Sequence, residues 1–350
     1  MKIKNPFTIL LINTLFMASY SSCQTNSSGV KKPLPDSVVS QKKDTLINTP
    51  VAGTPVVSID TAEYNNKMLS LSNGDKTGLW PPKSPYPLPG AIFPYHRVVA
   101  FYGNLYSKRM GILGELPKTD MLKKLQQEVD KWKAADTSVP VLPGLHYIAV
   151  TAQGSPGKDS KYRLRMPFHQ IDTVLNWAKQ INALVFLDIQ VGGSTVKTEV
   201  PQLEKYLKLP NVHLGIDPEF SMKNAEKPGT KIGTFNATDI NDAIDFLADI
   251  VKKNNLPPKI LIVHRFTQGM ITDYKKIKKL PEVQVVMDMD CWGDKTLKKG
   301  TYLRYIFKEP VQFTGFKLFY KNDIKKNKMG LYSPQELLKF TPKPIYIQYQ

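Results

Sequence analysis

The chain has 350 residues and a formal net charge of +18, from 48 lysines and arginines against 30 aspartates and glutamates. Its length allows one large domain or two ordinary ones. The positive charge favours polyanionic partners, with ordinary solvated lysines as the alternative. If the N-terminal segment directs export, we expect acidic glycans or lipid headgroups and no nucleic acid.

Residues 1–22 have the layout of a secretory signal. Two lysines precede an almost wholly apolar run over residues 7–18, which is too short to cross a membrane as a helix. Small residues then lead to Cys23, so the segment resembles a bacterial lipoprotein signal peptide, although Tyr20 stands where that pattern has leucine. The resemblance implies a lipid anchor on Cys23 and an extracytoplasmic place in the cell envelope. With Cys23 acylated, Cys291 would be the only thiol, which excludes an internal disulfide. Ordinary secretion is the alternative.

Two segments separate the signal from the main domain. Residues 23–59 are rich in serine, threonine, proline, lysine and asparagine, with few aromatics, which predicts a flexible tether. Residues 60–96 contain Trp80, Tyr86 and many prolines. They predict an ordered but irregular lead-in that packs on the outside of a domain spanning residues 97–350.

An alternation of strands and helices begins at Arg97 and continues to the end of the chain. Several strands are near-continuous apolar runs, as expected for parallel strands covered on both faces. The run from Leu122 to Trp132 has helical spacing, and a further helix is predicted from an N-cap at Thr238 to Asn254. The predicted strands cover residues 97–103, 143–151, 183–190, 212–219, 259–266, 283–290, 313–319 and 344–349.

Eight strands with intervening helices over this length predict a (β/α)8 TIM barrel, an α/β fold of eight parallel strands, without a clear final helix. The rival is a doubly wound open sheet, which is disfavoured because the chain lacks a dinucleotide- or phosphate-binding loop. We expect the lead-in to cover the gap left by the missing outer helix.

Carboxylates end three of the predicted strands: Asp188 on the third, Asp217 and Glu219 on the fourth, Asp288 and Asp290 on the sixth. Residues i and i+2 of a strand share a face, and active sites of these barrels lie at the C-terminal strand ends. Five converging carboxylates repel one another, so their repetition at one end predicts a functional site. A turn or helix cap is the alternative for each carboxylate taken singly.

Further polar and aromatic side chains lie at the same predicted end and are candidates for substrate binding. Each also has a structural alternative, as a core histidine, an ion pair or ordinary barrel packing. The candidates are His264, Arg265, Gln190, Lys317, Tyr102 and Trp292.

Two chemistries use such a cluster. Glycoside hydrolysis needs one carboxyl held protonated and another ionised, and close acids raise the pKa of one of them. Alternatively, the carboxylates with His264 hold Mg²⁺, Ca²⁺ or Mn²⁺ for phosphoester hydrolysis. Zinc-protease, Walker A and serine-hydrolase motifs are absent from the sequence. We therefore expect no cofactor, with a divalent metal as the alternative.

The segment Asp217-Pro218-Glu219 resembles the Asp-x-Glu strand end of chitinase-type and lysozyme-type glycosidase barrels. The resemblance implies that Glu219 is the proton donor and that Asp217 assists it. Two departures put hydrolysis of N-acetyl sugars with substrate assistance in doubt. Gly215 stands where chitinase-type enzymes carry a further aspartate, and the sixth strand ends Met287-Asp288-Met289-Asp290 in place of Met-x-Tyr-Asp.

From about residue 95 to the end, the chain is also similar to secreted bacterial barrel proteins of poorly assigned function. That similarity rests on short segments such as Leu187-Asp188-Ile189-Gln190 and Val263-His264-Arg265-Phe266. It implies the fold and export more firmly than it implies a particular reaction. We expect a lipid-anchored enzyme that resembles the glycoside hydrolases and cleaves a polysaccharide. Its acid would be Glu219, and its base or nucleophile Asp288, Asp290 or Asp188, in that order. A glycan-binding lipoprotein without catalysis is the alternative.

Two long loops on the same face carry most of the local positive charge. Residues 154–167 and 221–237 would form basic walls over the acidic floor and favour a polysaccharide with carboxylate or sulfate groups. The alternative is that these side chains are ordinary solvated lysines and arginines. They are Lys158, Lys161, Arg163, Arg165, Lys223, Lys227 and Lys231.

Overall fold

The computed structural model describes residues 59–224, 226–325 and 329–350. The predicted signal peptide, the predicted lipidation residue Cys23 and all but the last residue of the predicted tether lie outside the described residues. Within the described ranges, no helix combines the length and the apolar character that crossing a membrane requires.

A closed barrel of parallel strands forms the centre of the described chain. Each strand pairs with the next along the chain, and the last pairs with the first, for example Val98 with Tyr346. The predicted (β/α)8 barrel is therefore confirmed. The barrel strands are β1 (Arg97–Gly103), β2 (Val141–Ala152), β3 (Leu184–Ile189), β4 (Val212–Ile216), β5 (Lys259–Arg265), β6 (Val283–Met289), β7 (Phe313–Leu318) and β8 (Tyr346–Tyr349).

Helices and short strands fill the connections between the barrel strands. The short strands are Arg163–Arg165, Phe235–Asn236 and Ile271–Thr272. The α-helices are α1 (Thr61–Ser72), α2 (Ile112–Glu115), α3 (Lys118–Ala135), α4 (Phe168–Gln180), α5 (Val196–Glu199), α6 (Glu204–Leu207), α7 (Ala237–Asn254), α8 (Lys295–Thr301) and α9 (Pro334–Leu337). Single 3-10 turns lie at Val200–Leu203, Pro218–Phe220, Gln268–Met270 and Tyr274–Lys276, and a π-helix at Tyr302–Phe307 continues α8.

The start of α7 differs from the prediction. Asn236, and not Thr238, is the N-cap, because its side chain accepts from the backbone N–H of Asp239 at 3.0 Å. The Asp239 carboxylate accepts from the backbone N–H of Asn236 at 2.8 Å, which completes a capping box. The helix ends at Asn254 as predicted, and Asn255 follows in the left-handed conformation with φ 49°.

Inward-facing side chains divide the barrel interior along its axis. Near the N-terminal ends of the strands they are apolar and pack together in one cluster, whose members include Val98, Ala100, Phe186, Ile260, Ile262, Val286 and Phe313. Two residues further along the same strands they are polar, as at Asp188 on β3 and His264 on β5. A second and larger cluster lies between the strands and the outer helices and includes the α3 residues Leu125, Val129 and Trp132.

The lead-in closes the N-terminal end of the barrel. Tyr64 and Met68 of α1, together with Phe93, pack against the apolar interior cluster. Gln284 at the start of β6 accepts from the backbone N–H of Phe93 at 3.1 Å and donates to its carbonyl oxygen. The lead-in, predicted to be ordered but irregular, contains one regular element, the 12-residue helix α1 that Asp60 caps. The lead-in also enters the barrel end, whereas we expected it to replace an outer helix.

Candidate active site

The predicted carboxylates converge at the C-terminal end of the barrel. Asp188 on β3 and Asp288 on β6 are fully buried, and Asp217 and Asp290, just beyond β4 and β6, are only 3% and 9% exposed. Glu219 is partly buried in the short turn that follows β4. The site thus has a deep layer and, two residues further along the strands, a rim.

Local hydrogen bonds position the rim residues. The backbone N–H of Glu219 donates to Asp217 Oδ1 at 3.0 Å, so Asp217 caps the 3-10 turn that Pro218 begins. Gln190 Nε2 donates to Asp217 Oδ2 at 3.4 Å, while Gln190 Oε1 accepts from the backbone N–H of Ala152 at 3.0 Å. The structure therefore makes Gln190 a support for Asp217 at the rim.

In the deep layer, Asp188 contacts three ring side chains. The Tyr102 hydroxyl donates to Asp188 Oδ2 at 2.9 Å. Asp188 Oδ1 lies 3.3 Å from His146 Nε2 and 3.4 Å from His264 Nε2. The sequence analysis missed His146, because no acidic pair or turn marks it. The only signal was a polar residue inside the apolar run of β2.

His264 connects the deep layer with the rim. Its Nδ1 lies 3.1 Å from Asp290 Oδ2 and 3.4 Å from Asp288 Oδ2. Lys317 Nζ donates to the same Asp290 oxygen at 3.1 Å and lies 3.8 Å from the centroid of the Tyr102 ring. Lys317 is therefore a structural ion-pair partner as well as a candidate for contact with substrate.

Burial and neighbouring charge shift the pKa values of the two imidazoles in opposite directions. Burial lowers the pKa of His146 to about 4, against a smaller opposite effect of Asp188. Burial also disfavours a charged His264, but Asp188 and the two β6 carboxylates outweigh it and raise the pKa of His264 well above its usual range. For Asp188, contacts with both imidazoles outweigh burial and lower its pKa.

The pKa values of two rim carboxyls, Asp217 and Glu219, are shifted in the opposite direction to that of Asp188. Burial, reinforced by the carboxylates of Asp188 and Asp290, raises the pKa of Asp217 to about 7. Burial likewise raises the pKa of Glu219 to about 8, with Asp217 and Asp290 adding to the effect. At neutral pH, Glu219 is therefore mostly protonated, which is the state of a general acid.

The two carboxylates of β6 have different surroundings. Burial raises the pKa of Asp288, which lies in the deep layer. Asp290 is nearer to solvent, and the adjacent Lys317 and His264 overcome the effect of burial and lower its pKa. Asp288 is fully enclosed, so the structure favours Asp290 over Asp288 as base or nucleophile, whereas the prediction placed Asp288 first.

Arg265 is not at the site. The side chain points away from the interior, since neighbouring residues of a strand face opposite ways and His264 faces inward. Its guanidinium donates to the carbonyl oxygens of Thr267 and Tyr305 and pairs with Glu309 at 2.6 Å. The prediction that Arg265 binds substrate is wrong. Trp292, in contrast, is 57% exposed on the loop after β6 and is free to contact a ligand.

Several basic side chains of the two loops are neutralised within the protein. Arg163 and Arg165 contact the buried carboxylate of Glu199 at 2.8 and 2.7 Å. Lys223 pairs with Asp239, and Lys231 with Glu226. Much of the positive charge expected to bind an anionic polysaccharide is thus already paired.

Gly215 explains why the chitinase-type aspartate is absent. A Cβ atom at this position would lie 2.4 Å from Asp188 Oδ1 and 2.5 Å from His146 Nε2. Real side chains do not approach this closely, so any residue larger than glycine would displace the deep cluster. The departure at Gly215 therefore accompanies the close packing of Asp188 and His146 in this barrel.

One group of side chains has the composition of a metal site. Ligand atoms of His146, Asp188 and His264 lie within 4.8 Å of one another, and all three residues are buried. The set differs from the predicted metal site because it combines two imidazoles with one carboxylate, whereas the prediction used clustered carboxylates with His264.

Comparisons with known proteins establish no family. No family model matches the chain, and no curated protein matches it. A mannanase from Bacillus subtilis is 11% identical with a TM-score of 0.36, covering 74% of this chain and 81% of its own. An endoglucanase of broad specificity from Clostridium longisporum is 11% identical with a TM-score of 0.35, covering 64% and 75%. A sugar phosphate isomerase/epimerase from Parabacteroides distasonis is 10% identical with a TM-score of 0.34, covering 72% and 85%. Similarities this low assign no activity to the chain.

Proposed function

We propose that the protein cleaves a polysaccharide outside the cytoplasm by general acid/base catalysis of carboxyl groups, held at the cell envelope by a lipid on Cys23. The observation that carries this proposal is the difference between two rim carboxyls. Burial raises the pKa of Glu219 to about 8, whereas Lys317, 3.1 Å from Asp290, favours the ionised form of that carboxylate. A protonated and an ionised carboxyl on either side of the scissile bond are what glycoside hydrolysis requires.

Glu219 has the properties of the general acid. It lies at the rim and is partly buried, so that its carboxyl is accessible to a ligand but poorly solvated. Asp217 holds the turn that carries it, through the hydrogen bond from the backbone N–H of Glu219. We expect Glu219 to protonate the glycosidic oxygen as the bond to the leaving sugar breaks. Activity should then fall as pH rises through about 8, the pKa of Glu219.

Asp290 is the best placed partner for this acid. The other two candidates, Asp188 and Asp288, are fully enclosed, and Asp188 is held by Tyr102. Asp290 retains some exposure, and Lys317 stabilises its carboxylate form. It would act as nucleophile in a retaining mechanism or activate water in an inverting one. The anomeric form of the first product, observed by NMR, distinguishes these mechanisms.

Exposed aromatic side chains at the same end support a sugar ligand. Trp292 is 57% exposed on the loop after β6, and Tyr106 is 63% exposed on the loop after β1. Aromatic faces pack against the apolar faces of sugar rings, whereas solvent-exposed rings contribute little to folding. Tyr106 was not among the predicted residues, because a single tyrosine in a loop carries no pattern.

The test is release of reducing ends from a panel of neutral and acidic polysaccharides. With the substrate that is cleaved, Glu219→Gln should lower kcat about 10²- to 10⁴-fold, the usual contribution of a general acid. Glu226→Gln is the matched control, because Glu226 lies in the same loop region, paired with Lys231. It should leave kcat unchanged.

Two outcomes would contradict the proposal. Undiminished turnover by Glu219→Gln would remove Glu219 as the acid. Binding of a glycan by the wild-type protein with no reducing ends released would identify a glycan-binding lipoprotein without catalysis.

A further inference from the structure

We propose that His146, Asp188 and His264 form a buried site for one divalent transition-metal ion of the Zn²⁺ type. The site lies in the deep layer, below the rim carboxyls. It goes beyond the proposed hydrolysis and does not depend on it, since neither Glu219 nor Asp290 is a ligand.

The separations of the ligand atoms fit tetrahedral coordination. Asp188 Oδ1 lies 3.3 Å from His146 Nε2 and 3.4 Å from His264 Nε2. Nitrogen and oxygen ligands at about 2.0–2.1 Å from a tetrahedral Zn²⁺ are themselves roughly 3.3–3.4 Å apart. The oxygen thus has the spacing of a fellow ligand to each imidazole nitrogen, and the two nitrogens lie within 4.8 Å of each other.

The same three atoms lack hydrogen bonds. Among the described residues, His146 Nε2, His264 Nε2 and Asp188 Oδ1 are enclosed and have no partner in hydrogen-bonding geometry. All three side chains are fully buried. Buried polar atoms are nearly always satisfied in folded proteins, so three unsatisfied atoms facing one another indicate a missing partner. A divalent cation that replaces the proton of His264 satisfies all three at once.

The opposite atom of each ligand is held in place. His146 Nδ1 lies 2.6 Å from the Tyr346 hydroxyl and 2.9 Å from Gln348 Nε2, and His264 Nδ1 lies 3.1 Å from Asp290 Oδ2. The other oxygen of Asp188 accepts from Tyr102 at 2.9 Å. Metal-binding imidazoles usually donate their second ring N–H to a carboxylate or another oxygen, which orients the ring. His146 Nδ1 has such a partner in the Tyr346 hydroxyl, whereas His264 Nδ1 lies close to the Asp290 carboxylate without hydrogen-bonding geometry.

The backbone of β4 approaches the ligand atoms closely. A Cβ atom at Gly215 would lie 2.4 Å from Asp188 Oδ1 and 2.5 Å from His146 Nε2. Only glycine therefore fits at this position without displacing the ligand atoms. Two imidazoles and one carboxylate favour Zn²⁺ and related transition metals, whereas Mg²⁺ and Ca²⁺ prefer oxygen ligands alone.

The experiment is calorimetric titration of the full chain with Zn²⁺ after dialysis against EDTA. We expect about one equivalent to bind and the melting temperature to rise. The variants His146→Ala and His264→Ala should each weaken binding at least about 100-fold. His213→Ala is the matched control, because His213 is also fully buried on a barrel strand and lies outside the cluster. It should bind Zn²⁺ as the wild type does.

A second measurement needs no variant that might fold poorly. The absorption spectrum of the wild-type protein with Co²⁺ should show the strong visible bands of four-coordinate cobalt with nitrogen and oxygen ligands. No Zn²⁺ binding by folded wild type, or a Co²⁺ spectrum of six-coordinate type alone, would overturn the proposal. The first result would mean that a charged His264 itself bridges the carboxylates. Glu219→Gln should still bind Zn²⁺, so the metal site and the hydrolytic proposal can fail separately.

Discussion

The two ends of the barrel interior are lined by the same strands but by different kinds of side chain. At the N-terminal end, Phe186 and Ile260 belong to one apolar cluster that also includes Phe93 of the lead-in. At the C-terminal end, two or four residues further along the same strands, Asp188 and His264 face the same interior. Side chains therefore alternate between the interior and the outer face along the whole of each strand. What differs between the two ends is whether the inward-facing side chains are apolar or polar.

This difference indicates how the fold combines stability with a site. Burying the apolar half removes hydrocarbon surface from water and stabilises the protein. Burying the polar half removes charges from water, which costs free energy that their mutual attraction repays only in part. We infer that the apolar half and the lead-in stabilise the barrel, and that the polar half is kept for binding or catalysis.

The largest loss of stability should follow from removing a buried ring from the apolar half. Phe93→Ala should lower the free energy of unfolding by about 3–5 kcal/mol, because it removes a fully buried ring that lies 5.3 Å from the ring of Phe313. Urea unfolding measures the change. Leu69→Ala, on the exposed face of α1, is the control and should change stability by less than about 0.5 kcal/mol. Equal effects of the two substitutions would show that the lead-in does not belong to the core.

A methyl group added in the polar half should destabilise the protein less than Phe93→Ala does, but it should impair metal binding more. Gly215→Ala places its Cβ against Asp188 and His146, and overpacking of this kind costs about 1–3 kcal/mol. We expect Zn²⁺ binding to be lost as well. Gly269→Ala is the control, because its Cβ would meet nothing within 4 Å. Retention of Zn²⁺ affinity by Gly215→Ala would contradict the assigned geometry.

A buried lysine at the N-terminal end of the barrel should make the free energy of unfolding depend on pH. Burial lowers the pKa of Lys259 from 10.5 to about 7, and its ammonium group donates to the carbonyl oxygen of Val212 at 3.0 Å. Between these two values the unfolded chain binds more protons, so stability rises with pH by at most about 1.4 kcal/mol per pH unit from this group. Urea unfolding at pH 7.5 and 9.5 should show a smaller rise for Lys259→Met than for wild type. The exposed Lys253→Met should keep the wild-type slope, and a slope unchanged by Lys259→Met would contradict the shift.

The smallest change in stability is expected at the exposed rim. Trp292→Ala should alter the free energy of unfolding by less than about 0.5 kcal/mol, since the side chain is 57% exposed. It should nevertheless weaken retention on polysaccharide-containing gels. Tyr86→Ala, an exposed aromatic that contacts Tyr64 of the lead-in, is the control and should bind like wild type. Equal retention of Trp292→Ala and wild type would exclude stacking on Trp292.

The sequence was sufficient to predict the barrel and the position of its acids. Apolar runs such as Leu184–Ile189 identify buried parallel strands, and carboxylates spaced two apart at strand ends must share a face. The same rule would have excluded Arg265, because it directly follows the inward-facing His264. That prediction failed because the two residues were considered as a pair.

What could not be predicted depends on contacts between distant segments. His146 becomes part of the site only because β2 pairs with β3 in a register that places it beside Phe186, next to Asp188. The depths of Asp288 and Asp290 differ although the two residues are only two positions apart. The entry of α1 and Phe93 into the barrel end leaves no periodic signal, because it arises from packing that involves separate parts of the chain.

The claim that Glu219 is held protonated at neutral pH can be measured without a substrate. The side-chain carboxyl of ¹³C-labelled Glu219 can be followed by NMR as pH increases, and the signal is assigned by its loss in Glu219→Gln. The account predicts a titration midpoint near 8, since burial and the adjacent Asp217 and Asp290 oppose ionisation. A midpoint near the ordinary value of 4.5 would show that the carboxyl is ionised at neutral pH and cannot serve as the general acid.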